Sequence, residues 1–150
     1  MPFEPADPAF EARTRASFAR QGAMAYLGAL LESVAPGRVE IALPFRSELA
    51  QQHGFFHAGI ISTIADSAGG YAGFTLFPAD TGILTVEFKI NLTAPADGER
   101  AVAVGEVLRT GRTLTVCRLD AYVVKGGGRV HCATGLQTLM RIVGREGVKD

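Results

Sequence analysis

The chain has 150 residues, and its 15 Lys and Arg balance its 15 Asp and Glu, so the formal net charge is zero. This length fits one domain with its own core, and the balanced charge argues against a nucleic-acid binder that uses a broad basic surface. No apolar run reaches the roughly eighteen residues that cross a bilayer. The N-terminus lacks the basic and apolar pattern of a signal peptide, so we expect a cytoplasmic protein without membrane contact.

The N-terminal third of the chain predicts short elements of both types. In order, we expect a helix from Pro8 to about Arg20, a helical piece at 24–26, strands at 29–34 and 39–43 around a turn at 35–38, and a loop over 44–56. The helical pieces form an extension of about residues 8–26 to a single domain spanning 1–150.

A long helix is predicted from about His57 to Phe77, where Pro78 ends it. One face carries apolar residues at the spacing of an amphipathic helix: Ile61, Ile64, Ala65, Ala68, Ala72 and Leu76. The opposite face carries only small or polar residues: Gly59, Ser62, Thr63, Asp66, Gly69, Gly70 and Gly73. Each interior glycine costs roughly 1 kcal/mol relative to alanine. We therefore expect another backbone, a partner subunit or a ligand to approach this face closely.

Asp66 is the one carboxylate inside this helix. It lies too far into the apolar run to be the N-cap, and no Lys or Arg stands three or four residues away to pair with it. A solvated aspartate remains the alternative. A partly buried carboxylate without an ionic partner is a candidate functional group.

After the helix the hydrophobic period changes to two. Apolar residues alternate with polar ones from Leu84 to Leu92, which predicts a half-buried strand with one polar face. Further strands are predicted at 101–108, 113–124 and 129–142, with glycine-containing turns between them. We expect a four-strand antiparallel meander packed on the helix in a two-layer α+β domain, with five or six strands in total. Its exposed edge strand favours pairing with a second copy.

The histidines and cysteines do not indicate a metal site. His53 and His57 are four residues apart, but Gly54 stands where helical zinc motifs have glutamate, and it disfavours a helix there. Cys117 and Cys132 are isolated in strand-like segments, so we expect buried apolar residues of a reducing compartment.

The segment from Gln51 to Asp66 has a family resemblance. Gln51, Gly54, the run His57-Ala58-Gly59 and Asp66 have the spacing of the phenylacetate-pathway-like acyl-CoA thioesterases, whose pattern is Asn or Gln, then Gly, then His-Gly-Gly, then an acid nine residues after the His. Strand 84–90 and the following Thr93-Ala94-Pro95-Ala96 are similar to the family's strand and turn. The resemblance spans about residues 22–140. It implies a hot-dog fold, in which the antiparallel sheet wraps around the one long central helix.

The resemblance also implies hydrolysis of acyl-CoA, with CoA as part of the substrate and no separate cofactor. Asp66 is the plausible base or nucleophile on the helix, and both roles stay open. The Ala58 amide, at the positive end of the helix dipole, suits a developing oxyanion. Ala58 departs from the family's glycine, but its N–H serves equally if φ is negative.

Other roles follow from the resemblance. Gln51 would orient water or hold the acyl carbonyl, and Thr85 would position the attacking water, although it could equally be an ordinary strand residue. His57 would shape the loop through a backbone hydrogen bond, in preference to acting as a general base. Gly54 and Gly59 would shape the substrate-binding loop.

Arg109 and Arg112 flank a hairpin where related proteins meet the nucleotide end of CoA, although turn arginines are usually only solvated. The resemblance implies a homodimer or a dimer of dimers, with Asp66 of one chain facing Gln51, His57 and Ala58 of the other. The alternatives are a non-catalytic hot-dog protein that binds or senses acyl-CoA, and a dehydratase, whose catalytic His and acid would need a different spacing.

Overall fold

The computed structural model describes residues 3–148, in which one antiparallel sheet of six strands packs on a central helix. The helices are α1 (Phe10–Arg20), α2 (Gly22–Leu27) and α3 (Ala58–Phe74), and a 3₁₀ turn lies at Ser47–Leu49. The strands are β1 (Leu30–Ala35), β2 (Arg38–Pro44), β3 (Thr81–Leu92), β4 (Arg100–Thr110), β5 (Leu114–Lys125) and β6 (Gly128–Val143). The predicted α+β class is confirmed, and the sheet has six strands. Within residues 3–148, every helix is too short or too polar to cross a bilayer.

The central helix ends earlier than its sequence pattern predicts. It stops at Phe74, because the Thr75 hydroxyl donates to the Ala72 carbonyl at 2.7 Å and accepts from the Gly37 amide at 2.8 Å. The next residues continue in tighter turns, with Phe77 N–H bonded to the Phe74 carbonyl. Pro78 then disfavours helical geometry in the residue before it. The predicted end at Phe77 is therefore three residues too late.

The predicted four-strand meander is wrong. The strand order is β1-β2-β4-β5-β6-β3, so only β4, β5 and β6 follow one another as neighbours. β3 pairs with β6, with Thr85 opposite Leu139, and β2 pairs with β4. The alternation of apolar and polar residues along a strand shows which residues share a face, but it does not show which strand pairs with it. The sequence pattern therefore could not distinguish the observed strand order from a meander. β3 is consequently an edge strand.

The predicted faces of β3 are also wrong, because a β-bulge lies between Thr85 and Glu87. Ile83 packs against the core and Thr85 bonds to the helix, so both point inward and Leu84 points to the other face. Beyond the bulge, Phe88 lies opposite the inward-facing Gln137. The extra residue of a bulge reverses the alternation. The run from Leu84 to Leu92 is therefore not one apolar face.

The backbone of α3 lies almost directly on the sheet. A Cβ at Gly105 of β4 would be 2.3 Å from the Ala68 carbonyl, and one at Gly73 would be 2.6 Å from Leu139 Cδ1. A Cβ at Gly69 would lie 2.0 Å from Gln137 Oε1. The close neighbour of Gly69 and Gly73 is thus the chain's own sheet, whereas Gly70 faces open space. The predicted apolar face of α3 is confirmed, since Ile61, Ile64, Ala65, Ala68 and Ala72 are all buried.

Helix α1 is attached to the C-terminal end of α3 through Arg13. The guanidinium donates to the Phe77 carbonyl at 2.7 Å, bonds Asp7 at 2.9 Å and lies 4.1 Å from the centre of the Phe74 ring. Cations near the C-terminus of a helix stabilise its free carbonyls. The predicted start of α1 at Pro8 is two residues early, because Pro8 lies in the preceding turn. This attachment holds α1 as a wall beside the middle of α3.

Gly69 and Gly70 are adjacent, yet they should respond oppositely to alanine. Gly69→Ala should lower the free energy of unfolding by about 1–3 kcal/mol, because the new methyl group overpacks the helix against the sheet. Gly70→Ala gains helix propensity of up to about 1 kcal/mol and has room for its methyl group. Urea denaturation of both variants measures the difference. Equal or greater stability of Gly69→Ala would contradict the packing described above.

Candidate active site

The structure places the predicted site residues in three groups. Asp66 and Thr85 are in direct contact at the middle of α3. A second group, which we call the donor loop, surrounds the start of α3 and comprises Gln51, Gly54, His57, Ala58 and Gly59. Arg109 and Arg112 form the third group, on the exposed β4–β5 hairpin. Asp66 follows Ala58 by eight residues, so a helical rise of 1.5 Å per residue separates them by about 12 Å within one chain.

The Asp66 carboxylate is held through one oxygen. Oδ1 accepts from the Thr85 hydroxyl at 2.8 Å and from the Gln137 side-chain amide at 2.6 Å. Within residues 3–148, Oδ2 accepts no hydrogen bond. Asp66 is partly buried and forms no ion pair with the described residues, as its sequence context predicts. The carboxylate is thus oriented while one of its oxygens remains available.

Thr85 reaches Asp66 because of where β3 bends. The bulge follows immediately, so Thr85 is the last inward residue before the alternation reverses. Its hydroxyl donates to Asp66 Oδ1 at 2.8 Å, a contact that the sequence does not predict. Its role in positioning water stays a prediction.

Gln137 belongs to this group and is not predicted from the sequence. It lies on β6, is 1 % exposed, and its Nε2 also bonds the Asp66 carbonyl at 3.0 Å and Thr85 Oγ1 at 3.2 Å. Gly135, Gln137 and Leu139 alternate along β6, and Leu139 is fully buried. A glutamine at an inward position of an apolar alternation is the signal that could have revealed it. Its other amide atom, Oε1, is buried and has no partner within residues 3–148.

A cavity of about 410 Å³ opens beside Asp66. Its walls come from α1, the start of α2, α3 and β3: Ser17, Arg20, Gln21, Asp66, Ser67, Gly70, Tyr71, Ile83, Leu84 and Thr85. Three of the lining side chains are joined by hydrogen bonds. The Gln21 side chain accepts from the Ser67 hydroxyl at 3.1 Å and donates to the Tyr71 hydroxyl at 3.3 Å. The cavity has room for a small organic group next to the carboxylate.

The donor loop is a tight turn that leads into α3. Gln51 N–H bonds the Phe55 carbonyl at 2.9 Å, and Gly54 N–H bonds the Gln51 carbonyl at 3.0 Å. Gly54 has φ of 85°, a left-handed conformation that disfavours other residues. The Gln51 side-chain oxygen accepts from the His53 amide. Gln51 therefore contributes to the shape of its own loop.

His57 caps the central helix. Its Nδ1 accepts from the Gly59 N–H at 2.9 Å, which satisfies one of the free amides at the start of α3. The predicted backbone hydrogen bond of His57 is confirmed. A Cβ at Gly59 would be 3.1 Å from this Nδ1, so glycine gives the ring its room.

The Ala58 amide meets the geometric condition for an oxyanion donor. Ala58 is the first residue of α3, and among the described residues only Asp80 combines a side chain with positive φ. Its N–H makes no hydrogen bond within residues 3–148 and lies at the positive end of the helix dipole. Alanine therefore presents the same free donor that the family's glycine would present.

Other candidate groups play no visible part. Cys117 and Cys132 are buried, and burial raises the pKa of their thiols to about 12 and about 11. Both are thus buried thiols, as predicted. Within residues 3–148, no three His, Cys, Asp or Glu side chains come together in a way that could hold a metal ion.

A six-stranded antiparallel sheet wrapped around one helix defines a hot-dog-fold protein. Residues 53–130 match the family described as the thioesterase superfamily, which is just over half of the 150 residues. The chain therefore belongs to the thioesterase superfamily, and this membership supports acyl-thioester hydrolysis as the general activity.

Solved structures share this fold. A thioesterase family protein from Silicibacter pomeroyi is 49% identical, with a TM-score of 0.88, over 90% of this chain and 99% of that one. The PaaI protein of the E. coli phenylacetic acid degradation operon shares the fold at 16% identity, with a TM-score of 0.80 over 96% and 98% of the two chains. A thioesterase from Haemophilus influenzae shares it at 19% identity and a TM-score of 0.78, over 87% and 90%.

The cap of α3 gives a testable stability difference. His57→Ala should lower the free energy of unfolding by about 1 kcal/mol, because the Gly59 amide loses its acceptor. His57→Asn should retain most of that stability, since asparagine is a strong N-cap residue. Thermal and urea denaturation measure both variants. Equal losses in the two would show that the imidazole contributes something other than the cap.

Proposed function

We propose that this protein is an acyl-CoA thioesterase, which hydrolyses a thioester to the free acid and CoA with Asp66 as general base or nucleophile. The carrying observation is the Asp66 carboxylate, whose Oδ1 is fixed by Thr85 and Gln137 while Oδ2 is left without a donor among residues 3–148. An oxygen that is oriented but not saturated can take a proton or attack a carbonyl. The adjoining cavity supports the proposal by offering space for an acyl group.

Two chemical courses use this carboxylate. In the first, Oδ2 takes a proton from water while the water oxygen attacks the thioester carbonyl. In the second, Oδ2 attacks the carbonyl itself, and water then cleaves the resulting mixed anhydride. In both courses the C–S bond breaks and CoA leaves as its thiolate. The thiolate takes its proton from Asp66 in the first course and from solvent water in the second. The negative charge that develops on the carbonyl oxygen needs a nearby donor.

That donor would come from a second copy of the chain. The Ala58 amide lies about 12 Å along the helix from Asp66 of the same chain, too far to share one carbonyl with it. A two-fold dimer that places two central helices side by side would bring the donor loop of one chain to Asp66 of the other. Gln51 and His57 would then act on the partner's substrate.

The free edge of β3 supports such a dimer, or a dimer of dimers built from it. β3 is twelve residues long and pairs only with β6 among the described strands. Val86, Phe88 and Leu92 along it are 44–55 % exposed in the single chain. Long edge strands with exposed apolar side chains are usually covered by a partner.

The substrate's carrier would be CoA, with no separate cofactor. Arg109 and Arg112, exposed on their hairpin, offer positive charge for its phosphates. The β4 arm of the hairpin, which carries Arg109, is three strands away from Thr85 in the sheet, about 14 Å at ordinary strand spacing. A CoA molecule is long enough for its nucleotide end to lie this far from the thioester. Buried free thiols fit a reducing cytoplasm.

Free-thiol release from a panel of acyl-CoAs tests the activity. Asp66→Asn should lower kcat at least about 100-fold, because an amide can neither take the proton nor attack. Thr85→Val should lower kcat less, by about tenfold, since Gln137 still holds Oδ1. Asp80→Asn is the matched control, an exposed aspartate with φ of 61° that asparagine tolerates, and it should leave kcat unchanged.

Two outcomes would contradict the proposal in different ways. Full activity of Asp66→Asn would show that another group performs the chemistry. Acyl-CoA binding without hydrolysis by the unaltered protein would identify a binding or sensor protein of the same fold.

Mixed dimers test the two-chain site. Asp66→Asn and Gln51→Ala homodimers should each be nearly inactive, whereas a random mixture should recover about a quarter of full activity, because half of its dimers carry one intact site of two. The measurement is kcat after the two proteins are unfolded and refolded together. A mixture no more active than its parents would mean that one chain holds both residues of each site.

A further inference from the structure

We propose that Gln137 is a positioning residue that selects which oxygen of Asp66 reacts. This inference rests on the proposed thioesterase function and adds to it a residue on the last strand of the sheet. Gln137 Nε2 lies 2.6 Å from Asp66 Oδ1, 3.0 Å from the Asp66 carbonyl and 3.2 Å from Thr85 Oγ1. One buried amide nitrogen thus contacts the side chain and the backbone of the acid together with the hydroxyl beside it.

The contact to the Asp66 carbonyl fixes the orientation of the glutamine amide. A carbonyl and a carboxylate are both acceptors, so the group facing them must be the NH₂ and not the oxygen of Gln137. Its two hydrogens then go to Asp66, one to Oδ1 and one to the backbone. The Thr85 hydroxyl also donates to Oδ1. Two donors on Oδ1 restrict rotation of the carboxylate and leave Oδ2 for water or substrate.

The unpaired side-chain oxygen of Gln137 lowers the stability of the fold, which argues against a role in packing alone. Its Oε1 is buried without a donor among residues 3–148, and a buried acceptor in that state is destabilising. Methionine or leucine would fill nearly the same volume without that cost. The amide donor is therefore the property that distinguishes glutamine from the residues that would pack here more favourably.

Gly69 provides the space that this arrangement needs. A Cβ at residue 69 would be 2.0 Å from Gln137 Oε1 and 2.4 Å from Leu119 Cδ2. Because Gly69 lies on α3 less than one turn after Asp66, the helix that carries the acid also leaves the gap for its support. The unpaired Oε1 points into this gap and the donating Nε2 points to the carboxylate.

Gln137→Met and Gln137→Glu test the role with acyl-CoA hydrolysis. Gln137→Met keeps the shape and loses the donor, so kcat should fall about 10- to 100-fold with KM within about twofold. Gln137→Glu places a second carboxylate beside Asp66, and the acidic limb of the pH profile of kcat should move up by about one to two pH units. Thr138→Val, which removes a 3.2 Å hydrogen bond to Glu87 from the neighbouring residue of β6, should change neither readout.

The outcomes separate this inference from the proposed function. If Asp66→Asn abolishes hydrolysis but Gln137→Met keeps kcat and Gln137→Glu keeps the pH profile, the inference is wrong and the function stands. If the unaltered protein cleaves no thioester, the proposed function is wrong, and this inference, which rests on it, is wrong as well. Independently of activity, the thermal midpoints of Asp66→Asn, Gln137→Met and the double variant test the contact that the inference requires. Non-additive midpoints would support the contact between the two side chains, and additive midpoints would overturn it. The same midpoints serve if Gln137→Met is too unstable to assay.

Discussion

The close contact of α3 with the sheet is the constraint on which the rest of the structure depends. Gly105 of β4 has no side chain, so the backbone of α3 at Ala68 comes closer to the strand than any Cβ would allow. At that separation, the side chains of Thr85 and Gln137 are long enough to reach an acid on the helix. At the separation of roughly 10 Å that is usual between two stacked sheets, a threonine could not bridge the gap. The same contact buries the apolar face of α3 and thereby fixes the rotation of the helix, which directs Asp66 between β3 and β6.

In the proposed mechanism, the central helix also separates the two chemical functions that thioester hydrolysis requires. Its first turn carries a free amide and the positive end of the dipole, which suit an oxyanion, while its middle carries the carboxylate. Placing both near one end of the helix would let the dipole and the free amides stabilise the carboxylate itself and weaken it as a base. About 12 Å of helix avoids this within one chain. The proposed dimer restores proximity by using the amide of another helix, so association and catalysis would depend on the same pair of surfaces.

The sequence predicts the features that depend on local chemistry. The period of the apolar residues identifies α3 and its buried face, and the spacing from Gln51 to Asp66 locates the donor loop and the acid. The family resemblance predicts a hydrogen bond from His57 to the backbone, and the structure shows that this bond caps α3. The sequence does not predict the features that depend on contacts between segments far apart in the chain. The order of β3 and β6 and the bulge at Val86 depend on which strands pair, and Gln137 is 71 residues from Asp66 in the chain. Gly105 is a glycine inside a strand, a recognised sign of close backbone approach, yet only the structure shows that the helix is what approaches it.

The departure from the family pattern at Ala58 can now be placed among the glycines around it. Gly54 has φ of 85°, so its conformation requires glycine, and Gly69 has a polar side chain within 2.0 Å of its missing Cβ, so its surroundings require it. Neither reason applies at residue 58, which has helical geometry and an exposed side chain. A methyl group there leaves the N–H in place and lowers the entropy cost of starting the helix. Its Cβ is also the nearest side-chain atom to the donor, so it would narrow the space around the acyl carbonyl. In the proposed site, alanine at residue 58 would therefore give a more rigid start of the helix and slightly less space beside the donor than glycine would leave.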